Sequence, residues 1–149
     1  MNSVLKPVPA LGRFLLALIF VLAGIRKLGA VAATAAVMEK YGIPHADTLV
    51  WGAIALELGG GLALMLGFLA RLAALALFFY VAVLAIMFHP YWTFAGETLG
   101  VERGAFYGHL SMMGGMLFVV AFGAGPYSID ALIFGRRGSA APAVPQAAE

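Results

Sequence analysis

The residues of this chain that could do chemistry are few, and the first is Glu57. It lies inside Thr48–Ala70, an apolar stretch long enough to cross a bilayer and carrying no other ionisable group. A carboxylate at that depth costs roughly 2.5 kcal/mol or more on insertion scales, so it is expected to face a partner or a wet cavity. With a helical rise of about 1.5 Å per residue, Glu57 sits about 13–14 Å below the end of its run. Arg26 and Lys27 close the first apolar run, Leu11–Ile25, and reach within about 6–8 Å of the same depth. Neighbours on a helix point about 100° apart, so one of the pair should meet Glu57 while the other snorkels outward. A Glu57–cation pair is therefore the favoured expectation. The alternative is a protonated Glu57 hydrogen-bonded within the bundle.

His89 and His109 fall at the ends of the third and fourth apolar runs, on the side of Lys27. Two imidazoles and a carboxylate would suit zinc or iron. Their spacing forms no local motif, however, and His109 should lie about 6 Å or more above Glu57, so no metal site is expected. A hydrogen-bonding cavity or proton relay through Glu57 and His109 fits better, with His89 read first as a helix-end residue beside Pro90. Ser111, two residues from His109, lies on another helix face and is no nucleophile. Gly59-Gly60-Gly61 lacks the strand–turn–helix setting of a phosphate loop.

The elements that must position these groups are helices. Of 149 residues 63% are hydrophobic and only 11% charged, against about 25% charged in soluble domains, which points to the membrane. The net charge of +2, scattered at the ends of apolar runs, argues against nucleic acid. The chain has no cysteine, which removes thiol chemistry and thiolate-held metal. The expected fold is an all-α membrane bundle, antiparallel and up-and-down, occupying residues 1–137. Its helices are expected at about 11–28, 48–70, 72–89 and 105–124, with a disordered Ala/Pro-rich tail over 138–149. A signal-peptide reading of the first run is set aside: further apolar runs follow, and Arg26-Lys27 precedes the supposed cleavage site at Ala30-Val31-Ala32.

Between the first two spans, Leu28–Met38 is too short to cross and reads as a partial or interfacial helix, broken at Tyr41-Gly42-Ile43-Pro44. Along the second span Ala55, Gly59, Ala63 and Gly67 recur every four residues, a stripe for close helix packing, and Gly115 does the same in the fourth. The three glycines after Glu57 serve either packing alone or a loosening of the helix. Tyr91–Arg103 reads as a loop, and Ser128–Phe134 as a short interfacial helix. Tyr41, Trp51, Tyr91, Trp92 and Tyr107 gather at one interface, as amphipathic rings do. Lys6, Arg13, Arg71, Arg136 and Arg137 gather at the other with both termini, which favours cytoplasmic termini by a slight cation excess.

Over roughly Leu11–Leu132 the chain resembles the DoxX family. The resemblance rests on Gly12-Arg13, Ala23-Gly24-Ile25-Arg26-Lys27-Leu28, Tyr41-Gly42-Ile43-Pro44, Glu57 with its glycines, Arg71, Gly114-Gly115, and Gly125-Pro126-Tyr127-Ser128-Ile129-Asp130, in that order. It implies a four-helix protein of the bacterial cytoplasmic membrane, linked to quinone, thiol-stress or thiosulfate metabolism, with membrane or soluble redox partner subunits. Members are commonly labelled oxidoreductases, and a quinone would be a ligand rather than a covalent group. The family pattern commonly has Lys-Asn where this chain has Gly108-His109, so a role carried by that lysine is not transferred. The expected site is an outward-facing polar cavity lined by Lys27 or Arg26, Glu57, His109 and His89. Rival readings are a membrane scaffold docking partner helices on its small-residue faces and, third, a small proton-coupled transporter.

Overall fold

The computed structural model describes residues 5–135, so Arg136, Arg137 and the expected tail lie outside the described residues. Helix α1 (Val8–Leu28) is followed by the short α2 (Val31–Lys40). Next come α3 (Ala46–Ala55), a π-helical turn (Leu56–Gly60) and α4 (Gly61–Leu66), which together form one continuous rod. Helix α5 (Ala70–Phe88), a 3₁₀ turn (Tyr91–Thr93), α6 (Gly96–Phe122) and α7 (Ile129–Phe134) complete the described chain, which contains no strand. Four helical stretches, Val8–Leu28, Ala46–Leu66, Ala70–Thr93 and Gly96–Phe122, are long and apolar enough to cross a membrane. The connections are compatible with an antiparallel, up-and-down order.

The boundaries differ from expectation most at α6, which begins at Gly96 rather than near Ala105. Hydropathy marks where a helix enters lipid, not where it starts. The first turns of α6 carry Glu97, Glu102 and Arg103, and Glu97 stands where the unpaired amides of a helix start favour an acid. At about 1.5 Å per residue this 27-residue helix is about 40 Å long, more than a bilayer core of about 30 Å requires.

The packing is inverted relative to a soluble bundle. The core is built largely of small or medium side chains, including Ala17, Leu64, Ala74, Leu77, Val81 and Met116. Large apolar side chains such as Leu72, Phe79, Phe118 and Phe122 point outward and are more than half exposed. Lipid removes the penalty for that exposure, so helix association rests on close approach. A Cβ on Gly61 would stand 3.1 Å from Phe20 Cβ, and one on Gly24 would stand 2.6 Å from Leu58 Cγ. These glycines bring α1 against the π-turn and α4.

The small-residue stripe does not act as one face. Gly67 is buried and ends α4 with φ 69°, Ala63 is half-buried beside the core, and Gly115 packs on Leu16. Ala55 and Gly59 are exposed instead, with open space where a Gly59 Cβ would be. The cause is the π-turn, which contains Gly59 and separates Ala55 from Ala63. Its wider winding breaks the register that a four-residue spacing assumes and gives the packing role to Gly60 and Gly61.

One end of the bundle is closed by bonds to backbone. Arg13, expected at the interface, is 3% exposed; its Nε donates to the Leu64 carbonyl at 3.2 Å and its Nη2 to the Tyr127 carbonyl at 2.8 Å. The Asp130 carboxylate accepts from the amides of Leu69 (2.7 Å) and Ala70 (2.9 Å), capping α5 across the turn. The Asp130 amide in turn donates to the Gly67 carbonyl at 2.9 Å. This cluster ties α1, α4, α5 and α7 together at one end of the bundle.

Candidate functional site

Toward the opposite end, α1 presents Lys27, the π-turn presents Glu57 and α5 presents Tyr80. Lys27 Nζ donates to both oxygens of Glu57, at 2.6 and 2.8 Å, and the Tyr80 hydroxyl donates to Oε1 at 2.8 Å. Glu57 is 2% exposed, whereas the Lys27 side chain keeps 20% of its surface open. The carboxylate is therefore held in place and the ammonium is partly presented. Arg26, one residue away and about 100° round the helix, is exposed and takes the outward role.

Above this triad lies a cavity of about 730 Å³. Its walls come mainly from apolar side chains of α2, the start of the second span and α5, among them Met38, Leu56 and Val83. Lys27, Tyr80, His89, Glu102 and His109 contribute to its polar lining, as do Arg26, Thr34 and Tyr41. Glu57 itself is not among the lining residues, so it acts on anything in the cavity through Lys27 and Tyr80. A direct proton transfer between Glu57 and a ligand, as expected from sequence, does not follow from this arrangement.

The two histidines are brought together as neighbours, their ring centroids 5.0 Å apart. His109 Nδ1 lies 2.9 Å from the Ala105 carbonyl, which can only accept, so that nitrogen carries the proton and Nε2 is left over. His89 Nδ1 lies 2.7 Å from Glu102 Oε2, an arrangement that likewise leaves Nε2 without a partner among the described residues. Among those residues no group of three or more His, Cys, Asp or Glu is arranged to hold a metal ion. Ser111 spends its hydroxyl on the Tyr107 carbonyl at 3.0 Å, one turn back in its own helix.

Comparison with known proteins decides the family. The family model described as DoxX matches residues 8–90, more than half of the chain. This chain belongs to the DoxX family. It is also similar to two curated Escherichia coli K12 proteins, named inner membrane protein YqjF and inner membrane protein YphA. YqjF is 37% identical over 121 residues, covering 81% of this chain and 88% of that one. YphA is 28% identical over 120 residues, covering 80% and 86% respectively. No solved structure matches.

Within this DoxX chain the matched segment contains Lys27, Glu57, Tyr80 and His89, while Glu102 and His109 lie beyond it. Sequence reasoning missed Tyr80 and Glu102. Tyr80 had a readable signal: its hydroxyl sits in the middle of an apolar run, far from either interface, and a buried hydroxyl needs a partner. Glu102 was hidden by the expected loop. Once α6 is seen to begin at Gly96, Glu102 becomes a helical residue facing the end of α5.

Proposed function

We propose that this DoxX-family protein resides in the bacterial inner membrane and holds a quinone-like or similarly amphipathic molecule in the cavity above Lys27 and Tyr80. It would serve there as the membrane component of a quinone-linked or detoxifying oxidoreductase system. One observation carries the reading. The cavity has apolar walls, with hydrogen-bonding groups at two levels that Tyr80 and His89 place about 13 Å apart along α5. A ring with polar oxygens and an apolar body fits such a lining at either level, with Lys27 as donor to a ring carbonyl at the deep one and an unpartnered imidazole nitrogen as acceptor for a hydroxyl of the reduced form at the rim. Electrons come from the ligand or from a partner subunit, since no side chain of this cysteine-free chain cycles between redox states. The names of both relatives support the inner membrane, and the slight excess of Lys6, Arg13, Arg71, Arg136 and Arg137 over Arg26, Lys27, Lys40 and Arg103 favours cytoplasmic termini.

The test begins with purification in mild detergent and mass spectrometry of whatever accompanies the protein. Titration with a short-chain quinone then follows, for the wild type and for Lys27→Met and Tyr80→Phe. Weaker binding in both variants supports the site, and unchanged binding in both refutes it. The scaffold reading keeps one observation of its own: Ala55 and Gly59 face outward with nothing packed on them, open to a partner helix. A co-purifying membrane subunit lost on Gly59→Leu would favour it.

A further inference from the structure

The closed end of the bundle contains a second feature that the cavity reading does not use. Arg13 is 3% exposed, and although Nε and Nη2 reach backbone carbonyls, Nη1 is buried with no hydrogen-bond partner. No carboxylate lies within ion-pair distance of the guanidinium among the described residues. The neighbouring acid, Asp130, already holds the two amides that begin α5. A buried cation bonded only to neutral groups, and with one nitrogen left over, is expensive and calls for an anion or another acceptor.

A groove of about 600 Å³ runs beside it, between α1 and α6. These two helices touch only lightly, and the lack of a side chain on Gly12 and Gly115 helps keep the space open. Leu16, Phe118 and Phe122 line it, and Arg13 contributes to its wall. Gly123 continues the lining at the end of α6, where Arg71 approaches. Arg71 Nε lies 3.4 Å from the position a Gly123 Cβ would take, and Nη2 donates to the Ala121 carbonyl at 3.4 Å. An apolar trough thus ends beside two arginines, within about 8 Å of the start of α1.

We propose that this groove is a binding site for one anionic phospholipid. Its acyl chain lies between α1 and α6 along Leu16 and Phe118, and its phosphate sits at the Arg13–Arg71 end. Charge complementarity selects the occupant. The trough is too apolar for a free anion to gain from filling it, and a neutral chain adds nothing to the partial compensation that Asp130 gives the Arg13 cation from a distance. A lipid that combines an acyl chain with a net negative headgroup answers both.

The test uses the full-length protein, purified in mild detergent and exchanged into equal amounts of phosphatidylglycerol and phosphatidylethanolamine, with bound lipid read by native mass spectrometry. One phosphatidylglycerol per chain, retained at least fivefold over phosphatidylethanolamine, is expected. Gly12→Phe should remove it, because it fills the groove at a position where a Cβ meets nothing within 4 Å. Arg71→Gln should keep a bound lipid but weaken the preference for the anionic one, since Arg13 remains. Unchanged thermal unfolding of both variants in lipid-free detergent shows that the fold is intact, which a substitution at Arg13 itself would not guarantee. Equal retention of the two lipids by the wild type, or full retention of phosphatidylglycerol by Gly12→Phe, overturns the proposal.

Discussion

Replacing Lys27 by methionine is the sharpest test of how the Lys27–Glu57–Tyr80 triad is built. The change removes an ammonium that contacts both carboxylate oxygens, at 2.6 and 2.8 Å, and leaves a 2%-exposed carboxylate with the Tyr80 hydroxyl alone. Stripping one partner from a buried ion pair costs about 3–5 kcal/mol; because the Lys27 side chain is 20% open to the cavity, the lower end, about 3 kcal/mol, is expected. The reverse change, Glu57→Gln, orphans a group that can turn into that cavity and keeps a hydrogen-bonding side chain against Tyr80, so about 1–2 kcal/mol is expected. The double variant Lys27→Met/Glu57→Gln removes both charges. It should cost less than Lys27→Met alone, since no unpaired carboxylate remains. Unfolding of the purified proteins in mixed micelles, followed by circular dichroism, gives the three values. The reasoning fails if Lys27→Met costs no more than Glu57→Gln, or if the double variant shows the sum of the two single losses.

Three further outcomes follow from the packing. Gly24→Ala places a Cβ 2.6 Å from Leu58 Cγ and should cost about 1–3 kcal/mol in the same unfolding assay, whereas Gly59→Ala, in open space, should stay within about 0.5 kcal/mol. Asp130→Ala uncaps the first amides of α5 and should cost about 1–2 kcal/mol, read as a lower thermal midpoint and faster hydrogen exchange at Leu69 and Ala70. Tyr80→Phe removes one hydrogen bond from Glu57 and should cost about 1 kcal/mol without disturbing the helices; an unchanged midpoint would show that the hydroxyl does not hold the carboxylate.

Much of the architecture was legible in the sequence because lipid imposes a length and a polarity on each span. The four apolar runs correspond to four helices, and the depth arithmetic placed Arg26 and Lys27 within about 6–8 Å of Glu57 in height, a gap that a long cationic side chain covers. The choice between them was not legible, since it depends on the rotation of α1 about its axis, which α1's packing on the second span fixes. The π-turn explains why the stripe from Ala55 to Gly67 misled. A four-residue spacing marks one face only in a regular helix, and Gly59-Gly60-Gly61 permitted an irregular one. Arg13 was misread for a related reason. An arginine near the end of an apolar run ordinarily snorkels to water, and only the fold shows carbonyls at Leu64 and Tyr127 drawing it inward. Tyr80 and Glu102 belong to the cavity through contacts between helices far apart in the chain, a relation that no local pattern records.

The two polar clusters differ in what they bond to, and that difference divides the labour of the fold. Arg13 and Asp130 bond to main-chain groups at helix ends, so neither can move without releasing the ends of α4, α5 or α7. In the Lys27–Glu57–Tyr80 triad the bonds run between side chains on three separate helices. Lys27 can therefore turn from Glu57 to a cavity ligand while every backbone hydrogen bond stays in place. The cost of that turn is a loosened ion pair, and a ligand acceptor on Lys27 offsets it. An end locked through its backbone and an end adjustable through its side chains are what a small membrane protein needs to bind a molecule without opening its bundle. On this reasoning a ligand that draws Lys27 from Glu57 should speed hydrogen exchange at the π-turn over Leu56–Gly60 and leave Leu69 and Ala70 unchanged.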